Sequence, residues 1–425
     1  MDENLPDNWV SSSIADVADI LDNLRKPVSS VERAKRIGNI PYYGATGLAG
    51  YIDNFIFDEE LILLGEDGAP FFDKSKNVAF KIEGKSWVNN HAHVLRAKFQ
   101  TRNDFLLHYL NQFNYAGFVG GTTRLKLTQG DLKKIPFPLP PLAEQERIVA
   151  KLAKLFAQIG IMKKALERIP RLLKDFRQQV LMQAVTGKLT DEWRIKNKDT
   201  FSMPIDFQDL VVNSSNGISK RYSETGENTI VLRLANFKEG KRIMGDERLI
   251  RLNHKEIEKY KLKENDILVI RVNGSITLAG VFILYRQNLK CETYCDHFIR
   301  YKVNEEKANP AFITYFANNG EGRKYLQESL STSAGQNTIN QKSIGGLKIN
   351  LPSLEEQNEI VFLVNLLLLK ADLIEEKYKL LKGNIESLPQ TILHKAFKGE
   401  LVEQLPTDGD AKDLLEEIKK LKIKK

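Results

Sequence analysis

Cysteine is nearly missing from this 425-residue chain, with Cys291 and Cys295 its only two. Two thiols cannot build a disulfide framework in a protein this large, so a reducing cytoplasm is the expected compartment. Long apolar runs are missing as well. The longest, 366–369 within 360–369, is interrupted by Asn365 and stopped by Lys370, far short of a bilayer span. The opening Met1-Asp2-Glu3-Asn4 offers no basic-then-apolar signal segment. Catalytic signatures fail in turn. There is no Gly-x4-Gly-Lys-Ser/Thr phosphate loop for an Asp-Glu-x-x box to serve, and no Pro-Asp with a Glu-x-Lys close behind it. An enzyme reading therefore lacks a site.

What is present is a soluble balance, 42% hydrophobic and 28% charged, long enough for two or three domains. The formal net charge of +8 suggests a polyanionic partner.

An internal repeat decides the organisation. Leu139-Pro140-Pro141-Leu142-Ala143-Glu144-Gln145 recurs as Leu351-Pro352-Ser353-Leu354-Glu355-Glu356-Gln357, an offset of 351 − 139 = 212. The same offset carries Leu181, Ala184, Gly187 and Leu189 onto Leu393, Ala396, Gly399 and Leu401. Upstream the echo is fainter. His93-Val94-Leu95-Arg96 resembles His297-Phe298-Ile299-Arg300, and Leu61-Ile62-Leu63-Leu64 resembles Ile267-Leu268-Val269-Ile270. Phe105 to Tyr109 likewise resembles Ala311 to Tyr315. The layout is thus a variable half and a matched helical half, twice over.

In the helical halves, Pro140-Pro141 and Pro352 precede each helix, where a missing N–H costs nothing. Glu144, Glu146, Glu355 and Glu356 suit the positive end of the helix dipole. Ile148, Leu152, Leu155, Ile159 and Met162 recur at helical spacing. Each first helix should run roughly 25 residues, about 37 Å, and needs a partner for its apolar stripe. Pro170 and Pro389 are expected to interrupt the two helical halves, and Gly187 and Gly399 to end them.

The variable halves read as mixed α/β, with strand-like runs at 61–64, 78–82, 94–97, 267–272, 281–285 and 298–303, and a short helix in each. His91-x-His93 and Cys291-x3-Cys295-x-His297 lack a second ligand pair at zinc spacing, so no metal is expected, and His93 and His297 read as core or capping residues. Asn309-Pro310-Ala311-Phe312 resembles an amino-methyltransferase motif without its second proline. It reads better as a helix start.

Polar clusters suited to DNA are easier to find. Gly120-Gly121-Thr122-Thr123-Arg124 and Ser331-Thr332-Ser333-Ala334-Gly335-Gln336-Asn337 hold the same place in the two halves. Lys220, Arg221, Arg233 and Asn236 form a further polar group, and Tyr42, Tyr43 and Thr46 offer aromatic and hydroxyl contacts. Such loops can lay N–H and O–H groups on phosphates, while Arg, Asn and Gln can read base edges.

The segments 141–149 and 187–194, echoed at 352–361 and 399–402, resemble the conserved regions of type I restriction-modification specificity subunits. Leu5-Pro6-Asp7-Asn8-Trp9 also resembles the opening of such a target recognition domain, although the second opening, Met203-Pro204-Ile205-Asp206-Phe207, has no tryptophan. The resemblance implies an α+β fold of two α/β target recognition domains, 1–140 and 197–351. Helical spacers at 141–196 and 352–425 would form a pair of long antiparallel helices with pseudo-twofold symmetry. It implies a non-catalytic subunit, each domain reading one half of a bipartite double-stranded DNA target. Glu144, Gln145, Glu356 and Gln357 would sit where two methyltransferase subunits dock. S-adenosylmethionine, ATP and Mg would belong to partner subunits, among them two translocating endonuclease subunits, and no cofactor to this chain.

Overall fold

The computed structural model describes residues 5–98, 101–198, 204–286 and 290–423; Met203 lies outside them. The strands that position the site are β1 (Ala18–Ile20), β2 (Leu61–Gly65), β3 (Ala79–Ile82), β4 (Ala92–Ala97), β5 (Val211–Asn216), β6 (Ile267–Ile270), β7 (Phe282–Leu284) and β8 (Phe298–Val303). The helices are α1 (Asn103–Gln112), α2 (Leu142–Leu166), α3 (Ile169–Val185), α4 (Pro310–Asn318), α5 (Leu354–Phe397) and α6 (Ala411–Ile423). The chain divides into two compact units, 1–168 with 378–425, and 169–377. These units cut across the four sequence segments, because α5 gives its residues up to Lys377 to unit 2 and the rest to unit 1.

Unit 1 holds an antiparallel sheet in the order β1-β4-β2-β3. Leu61 to Leu64 are fully buried, so β2 is apolar on both faces. Helix α1 buries Phe105, Leu106, Tyr109 and Leu110 in the same core. Each such side chain contributes about 1.5–3 kcal/mol by leaving water. Asn111, in the last turn of α1, holds β3 by its side chain: its Oδ1 accepts the Ala79 N–H at 3.0 Å and its Nδ2 donates to the Ala79 carbonyl at 2.9 Å. Ile148 and Leu152 of α2 share that core with Leu393, Ala396 and Phe397 of α5.

Unit 2 repeats the plan with the order β5-β8-β6-β7. Asn318 of α4 holds β7 as Asn111 holds β3, accepting the Phe282 N–H at 2.9 Å and donating to its carbonyl at 2.7 Å. Here Ile360 and Val364 of α5 pack with Val180, Ala184 and Val185 of α3. Arg177 of α3 reaches Asp372 at 2.7 Å and Glu375 at 2.8 Å. The two helix pairs are therefore made alike. Each joins the start of one helical repeat to the end of the other.

Two expectations change. Helix α2 is 25 residues long, as its periodicity predicts, and the chain breaks before Pro170, which falls in the first turn of α3. Pro389, however, interrupts nothing: α5 is continuous over 44 residues. Proline removes one backbone bond, but Ile385 and Leu393, one turn to either side, are buried and hold the helix across the gap. Gly187 and Gly399 do end their helices, both left-handed at φ +74° and +75°, a conformation that a Cβ disfavours.

The upstream repeat also shifts register. The Glu66 N–H donates to the His91 carbonyl and the Arg271 N–H to the His297 carbonyl. Leu127 N–H likewise donates to Glu66, and Ile339 N–H to Arg271. His297 is thus the counterpart of His91 rather than His93, and Ile267 that of Ile62 rather than Leu61.

Candidate nucleic-acid interface

In unit 1 a short hairpin pairs Val119–Gly120 with Lys126–Leu127. At its tip Thr122, Thr123 and Arg124 are exposed. The turn closes tightly at Gly121, φ +103°, where a Cβ would stand 2.4 Å from the Arg124 carbonyl. Arg124 Nη2 donates to Asp67 Oδ1 at 2.7 Å, and His91 Nδ1 lies 2.9 Å from the same oxygen. The arginine crosses Gly68, where a side chain would meet its Nε at 3.1 Å. The turn bearing exposed Thr46 sits against Gly65, with the Ala45 carbonyl 2.9 Å from where a Cβ would be. Thr46 thus joins the chain two residues from Asp67. Tyr43 is half-buried against Phe80.

Tyr42 does not join them. It is 2% exposed, its hydroxyl donates to the Val28 carbonyl at 3.2 Å, and Arg33 covers its ring. The alternation of its strand turns it into the core, so it is not a DNA contact.

In unit 2 the matching hairpin pairs Ser331–Ser333 with Gln336–Thr338 and adds Val272–Asn273 as a third strand. Ala334 and Gly335 form its two-residue turn with φ of +47° and +74°, leaving Ser333 and Gln336 exposed. Asn337 faces inward, donating to the Gly274 carbonyl at 2.9 Å and accepting from Thr332 at 2.8 Å. Asn236 is 1% exposed and satisfies the backbone of Arg233, Gly245 and Asp246. Both asparagines are corrected from base readers to turn supports, their amides being engaged by the neighbouring turns. Arg233 pairs with Asp246 at 3.0 Å and Lys220 with Glu256 at 2.5 Å. Arg221 reaches both oxygens of Asp296, at 3.0 and 3.4 Å, with His297 Nδ1 3.4 Å from that carboxylate.

Asp67, Asp296 and the role of His91 escaped sequence reasoning. The offset of 206 between His91 and His297 was the available signal, hidden by matching His93 instead.

Beneath the first hairpin lies a buried ionic cluster. His93 is fully buried, with Nδ1 2.6 Å from Asp22 and Nε2 2.9 Å from the Leu127 carbonyl. Arg25 bonds Glu66 at 2.7 Å and lies 3.5 Å from Asp22. Burial pushes the Asp22 carboxyl up, but the hydrogen bond and charge of His93, the Val94 N–H and Arg25 outweigh it and hold it below the usual range.

Against this geometry the comparisons are specific. The family described as "Type I restriction modification DNA specificity domain" matches residues 6–171 and again 218–382. The chain is similar to the type I restriction enzyme StySPI specificity subunit of Salmonella potsdam, 46% identical over 319 residues, 73% of this chain and 68% of that one. It is also similar to the EcoKI specificity subunit of Escherichia coli K12, 33% identical over 345 residues, 77% and 73% of the two chains. This chain belongs to the type I restriction-modification specificity subunits. In fold it is similar to the HsdS subunit of Thermoanaerobacter tengcongensis, with a TM-score of 0.62 at 16% identity over 93% of this chain and 98% of that one.

Within this specificity subunit the four residues expected at a docking surface face inward. Glu144, Gln145, Glu356 and Gln357 are all fully buried. Gln145 accepts the Arg102 N–H at 3.2 Å and donates to the Pro140 carbonyl at 3.0 Å. Gln357 accepts the Asn309 N–H at 2.7 Å and donates to the Pro352 carbonyl at 2.9 Å. Each glutamine ties the start of its long helix to the start of α1 or α4. Glu144 accepts from Trp9 at 2.9 Å and Gln404 at 3.0 Å. Glu356 accepts from Thr190 at 2.7 Å and Arg194 at 2.6 Å. Arg194 thus does in unit 2 what Trp9 does in unit 1, which accounts for a second opening without tryptophan.

The enzyme-like and metal-like motifs have structural explanations. Asn309 caps α4, accepting the Ala311 N–H at 2.9 Å with Pro310 in the first turn. Asp22, Glu66 and His93 cluster closely, as do Cys295, Asp296 and His297, but guanidinium groups of Arg25 and Arg221 already face those carboxylates. Burial also pushes the Cys295 thiol up, away from a ligating thiolate.

Proposed function

We propose that this specificity subunit is the non-catalytic DNA reader of a type I restriction-modification complex, each unit reading one half of a bipartite duplex target. One observation carries the reading. Both units hold a hairpin at the same place by the same backbone bonds, and its exposed tips differ: Thr122-Thr123-Arg124 in one, Ser333 and Gln336 in the other. Like scaffolds with unlike tips are what two readers of two different sequences require. The segments 1–140 and 197–351 serve as the two recognition domains.

Two methyltransferase subunits dock on the helical segments and bring S-adenosylmethionine; two translocating endonuclease subunits bring ATP and Mg. Docking falls to an apolar face of α5. Phe362, Leu366, Leu369 and Leu373 recur at steps of four, three and four residues, and are between 37% and 60% exposed. That spacing forms one stripe that a partner helix would cover. The complex works in the cytoplasm; among the described residues no helix is long and apolar enough to cross a membrane.

Co-expression with methyltransferase subunits, followed by mapping of methylated adenines, tests this. A motif of two blocks around an unread gap is expected. Exchanging residues 1–135 for those of a relative should change one block alone. A change in both blocks would defeat the two-reader model.

A further inference from the structure

We infer that Asp67 and Asp296 are positioning residues that hold Arg124 and Arg221 for the edge of a guanine rather than for the phosphate backbone. The inference rests on the DNA-reading role proposed above and says which side chains choose a base.

A phosphate anchor works best as an uncompensated cation on a free stem, because its affinity comes from neutralising phosphate and releasing counterions. Neither arginine fits that description. Arg124 is 59% exposed at the hairpin tip, yet its Nη2 is held at 2.7 Å by a carboxylate only 17% exposed. Arg221 is 52% exposed and is gripped through both terminal nitrogens by Asp296 at 26%. In each case an acid that would repel DNA stands behind the group meant to attract it.

Stability does not explain the arrangement. An exposed pair of this kind contributes little, since screening and side-chain entropy cancel most of its attraction. What the acid supplies is orientation. A guanidinium fixed at one edge keeps other N–H groups pointing outward in a known plane, and guanine offers two acceptors, O6 and N7, that match such a fork.

The acids are themselves held. His91 Nδ1 lies 2.9 and 3.1 Å from the two oxygens of Asp67, and the backbone N–H of His91 donates to Asn89 Oδ1 at 2.8 Å. His297 stands beside Asp296 at 3.4 Å, in the backbone position equivalent to His91. The arginines come from different loops in the two units and the acids from different positions. The assembly of arginine, aspartate and histidine is nevertheless reached twice, at the same end of the same strand pair. A flexible anchor needs no such frame.

The two roles predict opposite results for one substitution. In the assembled methyltransferase complex, Asp67→Asn removes a negative charge from the DNA-facing surface, so affinity for non-target duplex should rise. If Arg124 reads guanine, the ratio of target to non-target affinity should fall, by roughly 5- to 150-fold, the discrimination lost with one bidentate contact. The methylated motif should become degenerate at one G·C pair of one block. Arg124→Lys keeps the charge but not the fork, and should relax the same position; it carries the test even if Asp67→Asn assembles poorly. Asp296→Asn and Arg221→Lys should relax one G·C pair of the other block. A motif that stays strict in both Asp67→Asn and Arg124→Lys, with affinity moved equally for all duplexes, makes Arg124 a phosphate anchor and overturns the inference. Failure of the unaltered complex to methylate any two-block motif would instead remove the DNA-reading role itself.

Discussion

The side-chain oxygen of Gln357 accepts the backbone N–H of Asn309 at 2.7 Å, so the first turn of one helix is fastened to the cap of another. Gln357 also donates to the Pro352 and Lys307 carbonyls, at 2.9 and 3.2 Å. With no exposed surface, its amide is a structural clamp.

Replacing Gln357 with Ala should therefore unpair a buried N–H and a buried carbonyl, destabilising unit 2 by about 1–3 kcal/mol. Gln145→Ala should do the same in unit 1, where it bonds Arg102 and Pro140. Denaturant titration of each variant checks this. Unchanged midpoints together with lost methyltransferase binding would mean that these residues dock a partner after all.

Acid should expose the cluster under the first hairpin. The Asp22 carboxyl is held below its ordinary range, so the folded state binds that proton less readily than the unfolded chain. Its stabilising contribution is then present above about pH 4 and is lost as pH falls through the folded value. Asp22→Asn should lower stability at neutral pH, because His93 and Arg25 lose the negative charge they face, and should flatten the loss of stability in acid. Stability curves that run parallel between about pH 3 and 6 for the two proteins would refute this assignment.

How legible this was in the sequence depended on what kind of signal each residue left. The helical repeat was readable because Glu144-Gln145 and Glu356-Gln357 keep one offset, and burial explains why: both glutamines make the same bonds at the same helix start, and both glutamates are buried beside them. Burial is not legible in such a pair, since a repeated polar pair looks like a shared surface when only the sequence is seen. In the central strands the order of elements was clear but the register was not. Leu61 to Leu64 and Ile267 to Val269 are fully buried. With no polar face to alternate, nothing in them marks a shift by one residue. Among the candidate DNA contacts, exposure sorted them. Thr122, Thr123, Arg124 and Gln336 stand outward, while Tyr42, Asn236 and Asn337 are drawn in by hydrogen bonds to backbone that composition does not reveal.

Salt should weaken DNA binding by the assembled complex steeply. If six or more phosphates are neutralised, affinity for nonspecific duplex should drop about 10³-fold or more between roughly 50 and 200 mM salt. Arg124→Ala should weaken target binding, while the salt slope stays nearly constant, because Asp67 already balances that charge. Filter-binding or anisotropy titrations across that salt range provide the measurement. A flat response would exclude phosphate-led binding.

The last prediction concerns the outward face of α5. On one side of this helix Ile360, Val364 and Ala371 are fully buried within unit 2. On the other, Phe362, Leu369 and Leu373 are 60%, 57% and 51% exposed, an apolar surface that a folded chain gains nothing by leaving in water. Leu369→Lys with Leu373→Lys keeps helix propensity, and the aliphatic stem of lysine can cover what each leucine covers, so the stability of the chain should change by no more than about 0.5 kcal/mol per site. If a methyltransferase helix covers the stripe, each half-covered leucine lost should cost about 1–1.5 kcal/mol of binding, and the charged group that replaces it, which would have to be buried or displaced, adds to that cost. The double variant should accordingly bind methyltransferase subunits at least a hundredfold more weakly and methylate no target, while its thermal unfolding matches that of the parent chain. Assembly at unchanged affinity would mean that the stripe is not where the partner sits.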